Sequence, residues 1–266
     1  MDLRGASGDA LAGLTQELGS TTGDLATLGG ELYALAQLLR EQVSLRRLVT
    51  DPSVAAEAKQ GVMDGLLAGK VSDAARAVLG SAVGRRWTGS RDLPDAVERL
   101  SEIAQVRSAG DRSTVVADEL FAFAQAVRAN PTLRDALTDS ARSVSDRAGL
   151  VRDLLDGKAH PATVALATQS LGGGYRNPLA ALAAYQDVAA SVRGEGVATV
   201  RVSRPLSSAH AERLAAALAT RYGHAVHLNV VVDPAVLGGI SVEIGDDVID
   251  GTVSSRLAEA GRRLAG

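Results

Sequence analysis

Apolar residues recur at helical spacing along most of the chain, from about Ala6 to Val192. Short segments rich in Gly, Pro, Ser or Asp interrupt this pattern, as is typical of places where helices end. The stretch holds no run of alternating apolar and polar residues of the kind that forms a half-buried strand. The pattern therefore predicts a region built from helices alone.

The pattern changes after Gly194-Glu195-Gly196. From there β-branched and apolar residues alternate with polar ones, which is typical of half-buried strands. We also predict a helix opened by Pro205 and Ser207, and a last helix over 252–264. The predicted strands cover residues 197–202, 225–232, 239–244 and 248–250. We therefore expect a small β-α-β-β-α domain after a boundary near residue 194.

The helical part aligns with itself when the chain is shifted by 88 residues. Roughly a third of positions 31 to 87 are identical in this ungapped register. Amphipathic bias explains matching leucines, but it does not explain matching polar residues. The polar matches include Glu31 with Glu119, Gln37 with Gln125, Arg40 with Arg128, Thr50-Asp51 with Thr138-Asp139, and Gly69-Lys70 with Gly157-Lys158. The sequence thus predicts two copies of one helical unit.

The repeat and the change of pattern together predict three domains: residues 1–108, 109–194 and 195–266. The fold class we predict is mostly α, with a duplicated helical bundle followed by the small α/β part. The repeat also predicts that equivalent apolar stripes face a core in both copies. These stripes are Leu32, Leu35 and Leu39 in the first copy and Leu120, Phe123 and Val127 in the second.

Composition narrows the possible functions. The net charge is −3, and the 28 Lys and Arg residues are spread along the chain, so we expect no nucleic-acid partner. The chain has no cysteine, which excludes disulfides and thiolate metal sites and suits a reducing compartment. No apolar run approaches the ~18 residues of a membrane span, and the N-terminus lacks a signal-peptide pattern. We therefore expect a cytoplasmic protein.

Two strings, Gly65–Val71 and Gly157-Lys158-Ala159, invite comparison with a phosphate-binding P-loop. The positions where that loop requires its first glycine hold Asp64 and Arg152, and neither lysine is followed by Ser or Thr. No predicted strand precedes either string. We therefore interpret both as helix C-terminal caps, and Gly172-Gly173-Gly174 as a loop or helix end.

The four histidines and the acidic residues near the C-terminus lack the spacing of a catalytic or metal site. His224 and His227 lie on or beside a predicted strand, where residues three apart face opposite sides. Asp246, Asp247 and Asp250 suit a turn and a helix start, where a carboxylate accepts hydrogen bonds from free backbone N–H groups. We expect no catalytic residue, no metal ligand and no cofactor.

A long motif spans Leu228 to Val253. It consists of a strand, Leu237 before two glycines, a second strand, Gly245-Asp246, Ile249-Asp250-Gly251, and then a helix. This motif resembles that of the delta subunit of F-type ATP synthases, whose mitochondrial relative is the oligomycin-sensitivity-conferring protein. The resemblance extends upstream to about residue 119. The residues before 119 depart from the common single-unit form and resemble the enlarged delta subunit of actinobacteria.

The resemblance implies a stator subunit that performs no chemistry. In that family the helical bundle contacts the N-terminal helices of the alpha subunits, and the C-terminal part grips the C-terminal helix of the b subunit. Such a subunit links the catalytic head to the peripheral stalk, so that rotation is coupled to ATP synthesis. The resemblance further implies a peripheral location at the cytoplasmic face of the cell membrane, with membrane association only through the complex.

Two helix faces are candidates for the alpha-binding groove that the resemblance implies. One lies on the helix over 161–167 and includes Val164, Leu166 and Ala167; its equivalent in the first copy includes Ala77 and Val78. Small side chains at these positions allow a partner helix to approach closely. The same faces suit a protein core, since apolar helix faces are buried inside proteins more often than they bind partners. The sequence leaves open which copy contacts alpha.

Two other classes of function are alternatives. A helical-repeat adaptor or scaffold unrelated to ATP synthase would account for the duplication, but it would not account for the C-terminal motif. An enzyme with a pocket between the bundle and the α/β part would need convergent titratable residues, and the sequence does not supply them.

Overall fold

A computed structural model divides the chain into two compact units, residues 1–189 and 190–266. It describes residues 3–245 and 247–253. Within these residues the first unit is built from helices, and the second contains a four-stranded sheet. The predicted fold class, mostly α with a small C-terminal α/β part, is confirmed.

The described part of the chain forms eleven α-helices before the first strand. Several begin after a side chain that accepts a hydrogen bond from the first turn, as at Asp24, Ser72 and Ser143. The helices are α1 (Ala6–Gly19), α2 (Leu25–Glu41), α3 (Val43–Thr50), α4 (Ala56–Leu67), α5 (Asp73–Gly84), α6 (Asp92–Ser108), α7 (Ser113–Ala129), α8 (Pro131–Thr138), α9 (Val144–Leu155), α10 (Pro161–Gln169) and α11 (Pro178–Val192). A short 3₁₀ helix, Gly110–Arg112, precedes α7.

The sequence repeat recurs in the bounds of the helices. Helices α2, α3 and α4 begin and end 88 residues before α7, α8 and α9, and α5 begins 88 residues before α10. The two predicted apolar stripes are buried, with exposed fractions of at most 6%. Their members are Leu32, Leu35 and Leu39, and Leu120, Phe123 and Val127. Equivalent residues therefore form equivalent core faces in the two copies.

A glutamate at the same position of each copy holds the N-terminus of a later helix. In the first copy Glu31 of α2 accepts hydrogen bonds from the backbone N–H (2.9 Å) and the hydroxyl (2.5 Å) of Ser72. In the second copy Glu119 of α7 accepts them from the N–H of His160 (2.8 Å) and the hydroxyl of Thr163 (2.5 Å). A carboxylate at this end also complements the helix dipole. These bonds fix α5 to α2 and α10 to α7.

Helix α6 belongs to both copies. It packs against α1, α2 and α5 on one side of the repeat and against α7 and α10 on the other. When the chain is shifted by 88 residues, α1 aligns with residues 94–107 of α6. Helix α6 is therefore both the last helix of the first copy and the first helix of the second. Twelve of its 17 residues are buried, as a helix covered from two sides requires. The boundary that we predict at residue 108 falls at the end of this shared helix.

The second unit is a sheet of order β2-β1-β3-β4 with one described helix, α12 (Ser208–Tyr222). Strand β1 is parallel to β2 and antiparallel to β3, and β3 and β4 form a hairpin. The strands are β1 (Glu195–Val202), β2 (Ala225–Val232), β3 (Ile240–Ile244) and β4 (Asp247–Asp250). Leu218 of α12 packs on a core that includes Val200, Val226 and Val242. The four predicted strands are confirmed, and the predicted last helix lies almost wholly outside the described residues.

Candidate functional site

Helix α10 carries the first predicted partner-binding face. His160 caps its N-terminus, and Pro161 occupies its first turn. Val164 is half-buried at the surface, whereas Leu166 and Ala167 are completely buried. The side chains of Leu166 and Ala167 therefore belong to the core of the bundle, and Val164 is the member of this face that a partner can reach.

A surface groove of ≈ 640 Å³ runs beside α10. Pro161, Val164 and Ala165 contribute small apolar side chains to its lining. The polar residues of the lining include Tyr33 of α2, Gln105 of α6, and the exposed Arg152 and Asp156. The Tyr33 hydroxyl donates to a backbone carbonyl of the second copy (3.0 Å), and burial raises the pKa of Tyr33 to about 12. The phenol of Tyr33 therefore stays neutral near pH 7. Most of the surface that lines the groove is apolar.

Helix α5 carries the equivalent face in the first copy. Ala77 is exposed and Val78 is half-buried, while Leu79 is completely buried. Beside them Arg76 forms an ion pair with Asp73, one turn earlier on the same helix. This face is thus more polar than the face of α10, where Val164 takes the place of Arg76.

A polar bridge closes α5 against α1. Ser81 donates to the carboxylate of Glu17 (2.6 Å), and Arg85 forms an ion pair with the same carboxylate. The equivalent residues of the second copy are Gln169, Gln105 and Gly173. Because Gly173 has no side chain and Gln105 donates to a backbone carbonyl of α2 (3.0 Å), no such bridge forms among these three residues.

The two Gly-Lys strings end helices. Gly69 and Gly157 follow α4 and α9 with φ values of 70° and 68°, the left-handed conformation that favours glycine after a helix. The N–H groups of Lys70 and Lys158 donate to carbonyls of the last helical turn, at 2.9 and 3.0 Å. The interpretation of both strings as helix C-terminal caps is confirmed.

The residues considered for acid–base or metal chemistry are held apart or engaged in local bonds. In the two described ranges, no group of three His, Cys, Asp or Glu is placed to hold a metal ion. Asp250 accepts a hydrogen bond from the N–H of Thr252 (2.9 Å), as predicted, and bonding to Thr252 lowers its pKa. Asp247 accepts one from the hydroxyl of Tyr222 (3.1 Å), and Asp246 lies outside the described residues.

Sequence analysis missed a buried polar stripe on α6. Its members are Glu98, Ser101, Glu102 and Gln105. Glu98 is completely buried, forms an ion pair with Arg40 and accepts a hydrogen bond from the N–H of Gly174 (2.8 Å). A Cβ at position 173 would lie 1.9 Å from a Glu98 oxygen, so a side chain there would require the buried carboxylate to move. Polar residues at i, i+3, i+4 and i+7 of a largely apolar helix are the signal that could have revealed this stripe.

Glu102 is the second carboxylate of this stripe. It accepts a hydrogen bond from the hydroxyl of Tyr175 (2.8 Å) and lies 2.8 Å from the guanidinium of Arg99. Burial raises its pKa to about 7, although the charge of Arg99 acts in the opposite direction. Because both carboxylates are enclosed by protein, they tie α6 to its neighbours instead of facing a cleft.

None of the helices in the described part of the chain is long and apolar enough to cross a membrane.

Comparison with known proteins shows which family this chain is similar to. A family model described as ATP synthase delta (OSCP) subunit matches residues 100–264. A protein of a Nocardioides species named ATP synthase subunit delta is 53% identical over 268 residues, covering 99% of this chain and 98% of its own. One of the same name from Streptomyces avermitilis is 42% identical over 272 residues and covers 100% of both chains. The first helical copy, which precedes most of the matched segment, is therefore shared with these relatives.

A chain of the mitochondrial ATP synthase hexamer of Toxoplasma gondii covers 99% of this chain at 15% identity and a TM-score of 0.30. A likeness at this level carries no argument about the fold or the site.

Proposed function

The chain belongs to the ATP synthase delta (OSCP) subunit family, and on that premise we propose how it contacts the rest of the complex. It is a non-catalytic stator subunit of ATP synthase. The observation that carries this conclusion is the 53% identity to a relative of that name over 99% of the chain. A helical-repeat adaptor unrelated to ATP synthase is not supported, because relatives of this name match both helical copies and the sheet.

We propose that the N-terminal helix of an alpha subunit binds in the groove beside α10. The groove has a mainly apolar lining and a volume of ≈ 640 Å³. An amphipathic helix docks by placing apolar side chains into such a groove, and small residues such as Ala165 allow its backbone to come close. Val164 is the contact residue in this arrangement, and the buried Leu166 and Ala167 support the face from the core.

The face of α5 around Ala77 and Val78 is the second candidate for an alpha contact. Its exposed side carries the Arg76–Asp73 ion pair, and a polar bridge joins α5 to α1. A helix binding there would bury Arg76 and Asp73 of α5 itself, which costs free energy unless the partner pairs with them. The charged residues of the groove beside α10, Arg152 and Asp156, lie outside α10 and are exposed. We therefore assign the principal alpha contact to α10.

We propose that residues 195–266 bind the C-terminal helix of the b subunit. The support is the exposure of large apolar side chains in the small unit: Leu237 is 78% exposed, Val248 66% and Val232 46%. Val232 and Val248 lie on the two edge strands of the sheet, β2 and β4, so a partner helix that covered either edge would remove apolar surface from water. In this arrangement the helical copies, residues 1–108 and 109–194, contact the catalytic head, and residues 195–266 contact the peripheral stalk.

The same arrangement assigns the location. We propose that the protein lies at the cytoplasmic face of the cell membrane as a peripheral subunit, held there only through the complex. In a strain that lacks the b subunit, washing membranes at low ionic strength should then release the full chain into the supernatant.

Replacing Val164 by Asp tests the alpha contact. Because V164D places a charge on a half-buried position of the groove, we expect the affinity for a peptide from the alpha N-terminus to fall at least about tenfold, or about 1.4 kcal/mol. Isothermal titration of the full chain measures this affinity. The matched control is A77D, a charge on the equivalent helix of the first copy, which should leave the affinity unchanged.

Circular dichroism and thermal melts must show that both variants keep the fold. If A77D weakens the peptide and V164D does not, the contact belongs to α5. If both well-folded variants bind like the unchanged chain, neither helix face is the alpha site. Leu166→Asp is unsuitable, because this side chain is completely buried and its replacement would unfold the bundle.

Leu237→Asp tests the stalk contact in the full chain. We expect L237D to reduce recovery of the b subunit in pull-downs while alpha-peptide binding stays intact, because the two contacts are assigned to different units. Equal recovery of b with L237D and with the unchanged chain would remove Leu237 from the interface.

A further inference from the structure

A cavity of ≈ 430 Å³ opens in the first helical copy, away from the groove beside α10. It lies at the start of α4, between the end of α3 and the segment that follows α5. Residues that line it include Thr50, Pro52, Lys59, Arg85, Arg86 and Trp87. Three of these six carry a positive charge, and none carries a negative one. We refer to it as the Lys59 cavity.

Lys59 is the central cation of this cavity. The residue is 6% exposed, and no hydrogen bond or ion pair joins its ammonium group to another of the described residues. The neighbouring carboxylate of Asp51 accepts from the N–H (2.8 Å) and the hydroxyl (2.6 Å) of Ser53. These bonds, and to a smaller extent the charge of Lys59, lower the pKa of Asp51. The ammonium nitrogen is not among the fully buried polar atoms of the described residues, so it is open to a ligand that enters the cavity.

The N-terminus of α4 contributes a second attraction for anions. This helix has 12 residues, and its N-cap position is Ala55, which has no side chain able to accept from the first turn. Val54 and Ala56 lie on the cavity wall. The N–H of Ala58 donates to the carbonyl of Ala55 (3.1 Å), which leaves the N–H groups of Ala56 and Glu57 without an acceptor among the described residues. Such groups carry partial positive charge and bind anions. The exposed Glu57 in the same turn is the acidic residue that offsets this charge in part.

Two arginines complete the positive rim. Arg85 is engaged with Glu17 of α1, whereas Arg86 is exposed and has no ion-pair partner among the described residues. The indole N–H of Trp87 donates to the carbonyl of Ala82 (2.9 Å), so its ring serves as a wall and not as a donor to a ligand.

The second copy lacks each of these features at the equivalent place. Ser143 caps α9 by accepting from the N–H of Asp146 (3.1 Å). Arg147, the equivalent of Lys59, donates to the carbonyl of Leu137 (3.0 Å). Gly174 stands where the first copy has Arg86. The unpaired cation and the uncapped helix start are therefore specific to the first copy.

We propose that the Lys59 cavity binds a phosphate group, either inorganic phosphate or the phosphate of a small organic molecule. A tetrahedral dianion can accept from the ammonium of Lys59, the guanidinium of Arg86 and the backbone N–H groups of α4 at the same time. A carboxylate presents only one charge and two oxygens to the same donors. This site does not rest on the proposed stator contacts, because it uses residues of neither interface.

Trp87 provides the readout, since it is the only tryptophan in the sequence and lines the cavity. The full chain is titrated with sodium phosphate, with glycerol 3-phosphate and, at matched ionic strength, with sodium chloride. We expect a saturable change of fluorescence with at least one of the two phosphates and none with chloride. In K59M the dissociation constant should rise about tenfold, because one charge-assisted bond is lost. The matched control is R147M at the equivalent position of the second copy, which should bind like the unchanged chain.

The titration is repeated with phosphorus NMR, in which line broadening of the phosphate signal reports binding independently of tryptophan fluorescence. Saturation by glycerol 3-phosphate alone identifies an organic phosphate as the ligand, and saturation by both identifies the phosphate group itself. No saturable signal with either compound, or unchanged affinity in a folded K59M, overturns the proposal. If circular dichroism reveals that K59M does not fold, R86E at the exposed rim replaces it, and unchanged binding by R86E is then the overturning result.

Discussion

The two helical copies contain the same helices but differ in what those helices offer to a partner. The buried stripes and the bonds from Glu31 and Glu119 to the following helices are present in both. The faces of α5 and α10 differ, since ion pairs cover the first and an apolar groove borders the second. Core positions are fixed by packing, whereas an exposed face is free to acquire a different chemistry.

The shared helix α6 accounts for part of this asymmetry. It packs against helices of both copies, so its polar stripe faces surroundings that α1, its equivalent in the first copy, does not have. At position 14 of α1 the chain has a buried leucine, and at the equivalent position 102 of α6 it has a buried glutamate. The two copies therefore differ in their first helix: α1 packs within the first copy, whereas α6 packs against helices of both copies.

The largest effect is expected from Gly173→Ala. Its Cβ would lie 1.9 Å from an oxygen of the buried Glu98, so G173A must displace a carboxylate that pairs with Arg40. We expect a loss of about 4 kcal/mol in the free energy of unfolding. Urea denaturation followed by circular dichroism measures it. The matched control is R85A at the equivalent position of the first copy, where we expect a loss within about 1 kcal/mol. Equal losses for G173A and R85A would mean that the two copies do not differ at this place.

The next effect is a pH dependence that the shared helix α6 should contribute and its equivalent, α1, should not. Glu102 has its pKa raised to about 7 in the folded chain, against an ordinary value of 4.5. Between these values the folded chain binds more protons than the unfolded chain, so this group lowers the stability as the pH rises from about 4.5 to about 7. The decrease is at most about 3 kcal/mol. In E102Q this part of the pH dependence should disappear.

Thermal melts of both proteins between pH 5 and pH 8 check the sign. The unchanged chain should lose stability relative to E102Q as the pH rises, and the difference should become constant above about pH 7.5. L14M, at the equivalent position of the first copy, is the control and should follow the unchanged chain at every pH. Parallel curves for E102Q and the unchanged chain would indicate that Glu102 is ionised throughout this range.

The smallest effect compares the two glutamates that hold helix N-termini. Because Glu31 and Glu119 each accept two hydrogen bonds at a helix start, E31Q and E119Q should each cost about 1 kcal/mol in the free energy of unfolding. Urea denaturation of the two variants under identical conditions gives the difference between them. Similar losses of stability in E31Q and E119Q would support equivalent roles for the two glutamates. A loss confined to one variant would mean that the two copies differ at this contact as well.

The helices, the repeat and the four strands could be predicted from the residues alone. Helical and strand periodicities are local properties, and the match of Glu31 with Glu119 is legible in the residues alone. The burial of Leu32 and Leu120 follows from the same periodicity. The family also came from the sequence, because the motif after Leu228 is a continuous stretch of chain.

Which of the candidate residues lie at the surface depends on how the helices pack together. Val164 and Leu166 are two positions apart on α10, and periodicity does not reveal which neighbouring helix covers which side. The groove also needs Tyr33 and Gln105 from two other helices, and the Lys59 cavity needs segments before α4 and after α5. Such sites combine residues far apart in the sequence, so their chemistry exists only once packing has brought the helices together.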